Sequence, residues 1–298
     1  MTKHPQLSAY GLLVITTWCW GLNAVISRRA VGEIAPMQLV TLRWLGVVLL
    51  LLPLARRHIL RDWPILCRHL PYLCLMGACG FAAFNALFYV AGHYTTAVNI
   101  GILQGAIPIF VLLGSLLFLR QPIRLIQGIG VVLTLLGVIT VASHGNVAQL
   151  GELRFNRGDG FVLIGCVFYA AYSVGLSRRP NVSALGLFAV MAGAAWLASL
   201  PLVTIETLQQ GWTAPSATGW LLAALVTLLP SFVAQIFFIQ GVSLIGPGRA
   251  GVFVNLVPVF ASIMAVLFLQ ERFELYHATA LSLVLGGIGL SELSKFRA

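Results

Sequence analysis

Residues 107–119 read IPIFVLLGSLLFL, and residues 257–269 read VPVFASIMAVLFL. The passage returns after 150 positions in a chain of 298 residues, so the offset is half the length. Pro108 falls on Pro258, Phe110 on Phe260, and Leu117-Phe118-Leu119 on Leu267-Phe268-Leu269. The register holds ungapped elsewhere, with Gly101 on Gly251, Phe88 on Phe238, Gly137 on Gly287, and Ser27-Arg28-Arg29 on Ser177-Arg178-Arg179. An apolar chain produces chance leucine matches, but not proline, glycine and a Ser-Arg-Arg triplet in one register. The chain reads as two copies of one unit, which restricts the fold more than any local pattern does.

Composition supplies the solvent. Hydrophobic residues make up 59% and charged residues 9% of the chain, against about a quarter charged in soluble domains. Mean hydropathy is +0.95. Such a chain cannot cover itself in water, so the expected class is an all-α integral membrane protein. Ten apolar stretches fit a bilayer span of about 20 residues: 8–27, 36–55, 70–91, 96–119 and 124–143, then 159–177, 184–204, 218–241, 248–269 and 276–294. Helices are required because open strands would leave backbone groups unpaired in lipid. The first stretch has a repeat partner at 159–177 and outruns a typical signal core, so it reads as a retained helix.

Five stretches fall in each half. An odd number per copy makes the second copy enter from the opposite side, which gives two five-helix inverted repeats. The expected division is a first repeat over 1–145, a linker over 146–158 and a second repeat over 159–298. Charge then orients the chain. On the side of both termini lie Lys3, Arg56, Arg57, Arg61, Arg68, Arg120, Arg124, Arg178, Arg179, Arg249, Lys295 and Arg297. The other side holds Arg28, Arg29, Arg154, Arg157 and Arg272, and Arg43 lies inside a span. This bias places both termini in the cytoplasm, and the expected location is the cell (inner) membrane. The bias also accounts for the net charge of +10 without nucleic-acid binding.

Enzyme signatures are missing. The five cysteines form no CxxC pair and the six histidines lack metal-ligand spacing, so neither a metal nor another cofactor is expected. There is no P-loop, G-x-S-x-G or H-E-x-x-H. No Asp or Glu stands near the centre of a span, which argues against proton coupling through a membrane carboxylate, although His or Tyr could still relay protons.

Polar residues inside spans are helix glue or site residues, and the repeat helps to sort them. Phe81, Asn85 and Phe88 share a helix face, and their counterparts Ser231, Gln235 and Phe238 form the same stripe. Asn23 matches Ser173, and Asn255 matches Gly105, the neighbour of Gln104. These residues are candidates for a substrate cavity, together with the aromatics Trp18, Trp20, Tyr89, Tyr169 and Tyr172. Interhelical hydrogen bonding and aromatic packing are the alternatives. Asn23 and Asn85 are expected to line an outer vestibule, and Ser173, Gln235 and Asn255 an inner one. Pro108 and Pro258 fall mid-span and are candidate bending points, since proline removes a backbone donor. Arg43 is either an anchor to neighbouring carbonyls or a contact for a substrate carboxylate.

The stretch WCWGLNAVISRRAVGEIAPMQLVTLRW at 18–44 resembles the opening of EamA-type members of the drug/metabolite transporter superfamily. The carrying residues are Trp20-Gly21, Pro36 and Arg43. Pro108 and Pro258, followed by LLFL and VLFLQER, resemble that family's fourth and ninth helices. Glu271 fits an acidic residue common after these helices, whereas the first copy departs with Arg120-Gln121-Pro122. The resemblance covers the whole chain. It implies ten helices, cytoplasmic termini and export of small metabolites, amino acids prominent among them, with aromatic-amino-acid exporters as the nearest type. The expected partners are a small-molecule substrate and the lipid bilayer, with no nucleic acid, and the expected state is a monomer acting as a facilitator. A multidrug or organic-cation efflux carrier and a proton-coupled antiporter are the rival readings.

Overall fold

The structure, a computed structural model, describes residues 5–120, 122–146, 156–246, 250–251 and 253–296. Among these, every regular element is helical. The first half holds α1 (Pro5–Arg29), α2 (Pro36–Arg68), α3 (Leu70–Ala91), α4 (Ala97–Leu119) and α5 (Leu125–Ala142). The second half holds α6 (Arg157–Gly175), α7 (Ala184–Gln210), α8 (Ala217–Ile245), α9 (Val254–Leu269) and α10 (Leu275–Phe296). Eight of these helices have the length and composition to cross a membrane, while α9 and α10 count as shorter apolar helices.

Local chemistry sets the ends. Thr96, Asn156, Ser183 and Ser216 each accept a backbone N–H of the helix they precede, at 2.8–3.3 Å, and so satisfy one of the donors a first turn leaves over. Helices α4 and α9 end on the left-handed residues Arg120 (φ 53) and Gln270 (φ 54), which are repeat counterparts.

Carboxylates cap across helices as well. Glu206 at the end of α7 accepts the Met37 and Gln38 N–H groups that open α2, at 3.1–3.2 Å. Asp62 near the end of α2 accepts the Ser183 N–H that opens α7, at 2.8 Å. The two helices therefore pack antiparallel, each supplying an acid to the other's positive end. This packing explains why α2 runs to Arg68, thirteen residues past the apolar stretch that ends at 55. Its charged end stays helical because it is docked on α7.

Packing follows the repeat. Helix α2 lies on α7, α4 on α9, and α5 on α10. Helix α1 packs on α8 and α9, just as α6 packs on α3 and α4. Exchanging the halves maps each of these pairs onto another or onto itself. In lipid, helices associate through close contact of small residues more than through apolar burial, and the α5–α10 seam shows it. A Cβ at Gly287 would lie 2.4 Å from the Gly130 carbonyl oxygen, and one at Gly137 would lie 2.8 Å from that of Ala280.

Two irregularities set up the centre. A π turn interrupts α3 at Ala78–Ala83, and another interrupts α8 at Thr227–Val233, the same place in the repeat. A 3-10 turn at Gln104–Ala106 precedes Pro108, and one at Val254–Leu256 precedes Pro258. The prolines therefore open the second segments of α4 and α9, where a missing N–H is harmless, rather than kinking a continuous helix.

Candidate functional site

The four irregular turns surround a cavity of about 130 Å³. Its wall includes Trp20 and Asn23 from α1, Arg43 and Trp44 from α2, and Phe81, Phe84 and Asn85 from α3. Helix α4 adds Gln104 and Pro108, α6 adds Tyr169, α8 adds Ser231 and Gln235, and α9 adds Asn255 and Pro258. A larger vestibule of about 1000 Å³ shares Trp20, Pro108, Tyr169, Gln235 and Asn255 with it, so the two spaces adjoin. The vestibule runs past Tyr172, Ser173 and Phe238 toward the face where α6 and α8 end and α7 begins.

The other end of the α1–α3 contact is shut. Ser27 Oγ donates to the Phe88 carbonyl at 2.9 Å, and Arg28 Nη1 to the Gly92 carbonyl at 2.8 Å. Farther out on that face, Glu271 accepts the Ala97 and Val98 N–H groups at 2.9 Å, and Ser216 donates to Glu33. A hydrogen-bond chain joins three helices there. The Thr95 hydroxyl donates to Asp159 at 2.6 Å, and the Asn99 amide donates to Thr95 at 3.2 Å. His277 Nε2 then lies 3.2 Å from Asn99 Oδ1, while its Nδ1 accepts the Glu274 N–H.

Arg43 is the electrostatic centre of the cavity. The residue is 5% exposed, and its Nη1 reaches Tyr89 Oη at 2.5 Å, Asn85 Oδ1 at 2.7 Å and Asn23 Oδ1 at 3.1 Å. Tyr89 in turn donates to Asn23 Oδ1 at 2.9 Å. All three partners are neutral, and among the described residues Arg43 pairs with no carboxylate. An arginine in a span costs about 2.5–3.5 kcal/mol even on the mildest scale, so its retention marks function by default. Its guanidinium carbon also lies 5.3 Å from the Trp44 ring centre and 5.9 Å from that of Tyr89, which spreads the charge over aromatic faces. Trp44 stacks on Phe81 at 4.7 Å, and Tyr169 packs on Phe84 at 5.1 Å.

Among the described residues, five buried side-chain atoms lack a hydrogen-bond partner: Gln38 Oε1, Arg43 Nε, Trp44 Nε1, Gln104 Nε2 and Asp159 Oδ2. Each such group costs about 1–3 kcal/mol, and charged groups cost more.

Most of the candidate residues meet at this cavity, but not all. Ser173, Tyr172 and Phe238 line the vestibule alone. Trp18, 39% exposed, turns outward to the surface of the bundle. Phe88 is packed in the core against Phe84 and Tyr89, and Tyr89 acts only through Arg43 and Asn23. The expected split into two vestibules is also replaced. Asn23, Asn85, Gln235 and Asn255 border one cavity, with Asn85 and Gln235 each two residues past a π turn. Trp44 is a wall residue that sequence reasoning did not nominate; its place beside Arg43 was the available signal. The helix-end acid Glu206 carried no sequence signal beyond its position, whereas Glu271 fitted the acidic residue of the resembled family.

The model of the EamA-like transporter family matches residues 7–143 and again residues 156–292. The chain is similar to the uncharacterized transporter YetK of Bacillus subtilis, 25% identical over 294 residues that cover 97% of this chain and 88% of that one. It is similar to the uncharacterized inner membrane transporter YedA of Escherichia coli, 26% identical over 301 residues, covering 99% and 94%. A solved crystal structure of a protein resembles it in fold, with a TM-score of 0.62 at 17% identity and 99% of each chain covered.

Proposed function

The chain belongs to the EamA-like transporter family and is a multi-pass membrane protein, and from that premise we propose that it carries small metabolites, amino acids foremost, by alternating access at the Arg43 cavity. The proposed arrangement is ten spans in two inverted five-helix repeats, with both termini in the cytoplasm. The exchange symmetry of the helix contacts supports the repeat, and the basic ends of α2 and α6 on the vestibule face support the orientation. In that frame the vestibule opens inward and the contacts of Ser27 and Arg28 close the outer path.

One observation carries the reading: a cavity walled by both halves adjoins a vestibule toward one face, while hydrogen bonds join α1 to the α3 end toward the other. Rocking of the halves would then expose the same wall to each side in turn. The aromatic wall suits aromatic amino acids, export is the proposed direction, and a zwitterion needs no coupling ion, so the protein is proposed as a facilitator. An organic-cation carrier would call for a carboxylate on the wall, and the cavity lining contains none.

The hydrogen-bond chain ending at Asp159 favours a second reading, a proton-coupled antiporter, because its donors and acceptors connect titratable groups of α6 and α10. Proteoliposomes separate the two. With internal unlabelled phenylalanine, labelled phenylalanine should accumulate transiently by exchange, unaffected by a protonophore at matched pH. Accumulation driven by a pH step and abolished by the protonophore would establish the antiporter instead, and no exchange of any amino acid would sink the substrate assignment.

A further inference from the structure

The buried atoms without partners are not scattered. All three donors, Arg43 Nε, Trp44 Nε1 and Gln104 Nε2, belong to residues of the cavity wall, whereas the two acceptors, on Gln38 and Asp159, lie outside it. A wall whose residues carry buried N–H groups without partners, and which offers no acidic side chain, suits an electron-rich ligand. Arg43 defines that ligand more closely. Its three neutral partners all hold Nη1, which fixes the guanidinium plane. On the edge that Nε shares with Nη2, Nε is buried without a hydrogen-bond partner among the described residues. This is the edge on which a carboxylate accepts two parallel N–H···O bonds.

We infer that the cavity recognises its substrate by a carboxylate, seated on the Nε–Nη2 edge of Arg43 with Trp44 Nε1 and Gln104 Nε2 as further donors. The inference rests on the proposed transport cavity and names its substrate class: organic monocarboxylates with an apolar or aromatic body, amino acids among them. The carboxylate supplies the negative charge that the protein withholds from Arg43. The amino group meets only neutral oxygens on the wall, such as those of Asn255, Gln235 and Ser231. Acids without an amine should therefore bind, and amines without a carboxylate should not.

The test is binding to the purified protein in lipid nanodiscs, read by the fluorescence of the wall tryptophans Trp20 and Trp44. The probes are phenylalanine, 3-phenylpropionate and phenethylamine, which share one ring. Both acids should bind, and phenethylamine should bind at least about tenfold more weakly, the worth of one charge-assisted hydrogen bond. Gln104→Leu should weaken both acids by about tenfold without lowering the unfolding temperature, since Gln104 Nε2 holds nothing in the protein. Arg43→Lys should weaken them further, because an ammonium keeps the charge and loses the paired geometry. Equal binding of the amine and the acid, unchanged affinity in both variants, or no saturable binding of either acid would overturn the inference. Counterflow on the same preparations keeps this apart from the transport reading: acids that bind but are not exchanged refute transport and leave the carboxylate site standing.

Discussion

The two halves of this protein differ most where they meet the cavity. In the first half Asn23, Arg43, Asn85 and Tyr89 form one buried network. The counterpart positions, 150 residues on, hold Ser173, Gly193, Gln235 and Ile239. Ser173 bonds only to its own helix, at Tyr169, and a Cβ at Gly193 would touch nothing within 4 Å. The repeat thus builds the frame, and a departure from the repeat supplies the charge. One arginine in one copy gives the repeated frame a charge asymmetry at the cavity.

The gates differ in a second way. Ser27 and Arg28 bond across to α3, whereas Ser177 bonds to Val174 on its own helix and Arg178 reaches Phe118 on α4. The same triplet thus makes different contacts in the two copies: both polar residues bond to the α3 end in the first, and only Arg178 crosses to another helix in the second.

The largest expected effect tests the charge asymmetry. Arg43→Gln should lower exchange by about a hundredfold or more, because it strips a buried charge from its hydrogen-bonded partners, while Gly193→Ala should leave exchange at the parental rate. Similar losses in both variants, measured by counterflow at equal expression, would erase the distinction between the halves.

A smaller effect is expected at the α5–α10 seam. Gly287→Ala forces a methyl against the Gly130 backbone and should destabilise the protein by about 1–3 kcal/mol. Gly286→Ala, with nothing within 4 Å, should be neutral. Thermal unfolding in detergent ranks the pair, and reversed ranks would refute the seam.

The gate comparison predicts a contact not yet made. When the vestibule closes, Ser177 should find the Phe238 carbonyl, the counterpart of the bond from Ser27 to Phe88. Cysteines at 177 and 238 should crosslink more readily when the outward-open state is populated; a yield independent of substrate would argue against exchange of the two gates. The smallest effect concerns the cross-helix caps. Glu206→Gln keeps the shape and loses the charge at the α2 N-terminus, and should cost about 1 kcal/mol in thermal stability with transport intact.

Much of this was legible beforehand, for identifiable reasons. Long apolar runs favour helices in lipid, so the helices followed from composition, and the repeat offset pairs Asn85 with Gln235, although the sequence reading assigned them to separate vestibules. Rotation about a helix axis is harder to read. Trp18 and Trp20 differ by two residues, about 200°, and only Trp20 reaches the wall. The π turns at Ala78–Ala83 and Thr227–Val233 leave no periodic signature, although Gly80 and Pro230, at the same repeat position, mark the spot. The caps of Glu206 on α2 and Glu271 on α4 join residues 168–174 positions apart, which sequence spacing does not reveal.

The central claim is that one cavity, built by both halves, is exposed to each side of the membrane in turn. A single cysteine at Gln235, in a chain whose Cys19, Cys67, Cys74, Cys79 and Cys166 are replaced, reports on it directly. Gln235 lines both the cavity and the vestibule. A membrane-impermeant maleimide should label position 235 from the cytoplasmic face without substrate. During exchange of a carboxylate substrate, labelling from the outer face should appear and cytoplasmic labelling should fall. Labelling from one face alone, unchanged by substrate, would contradict alternating access.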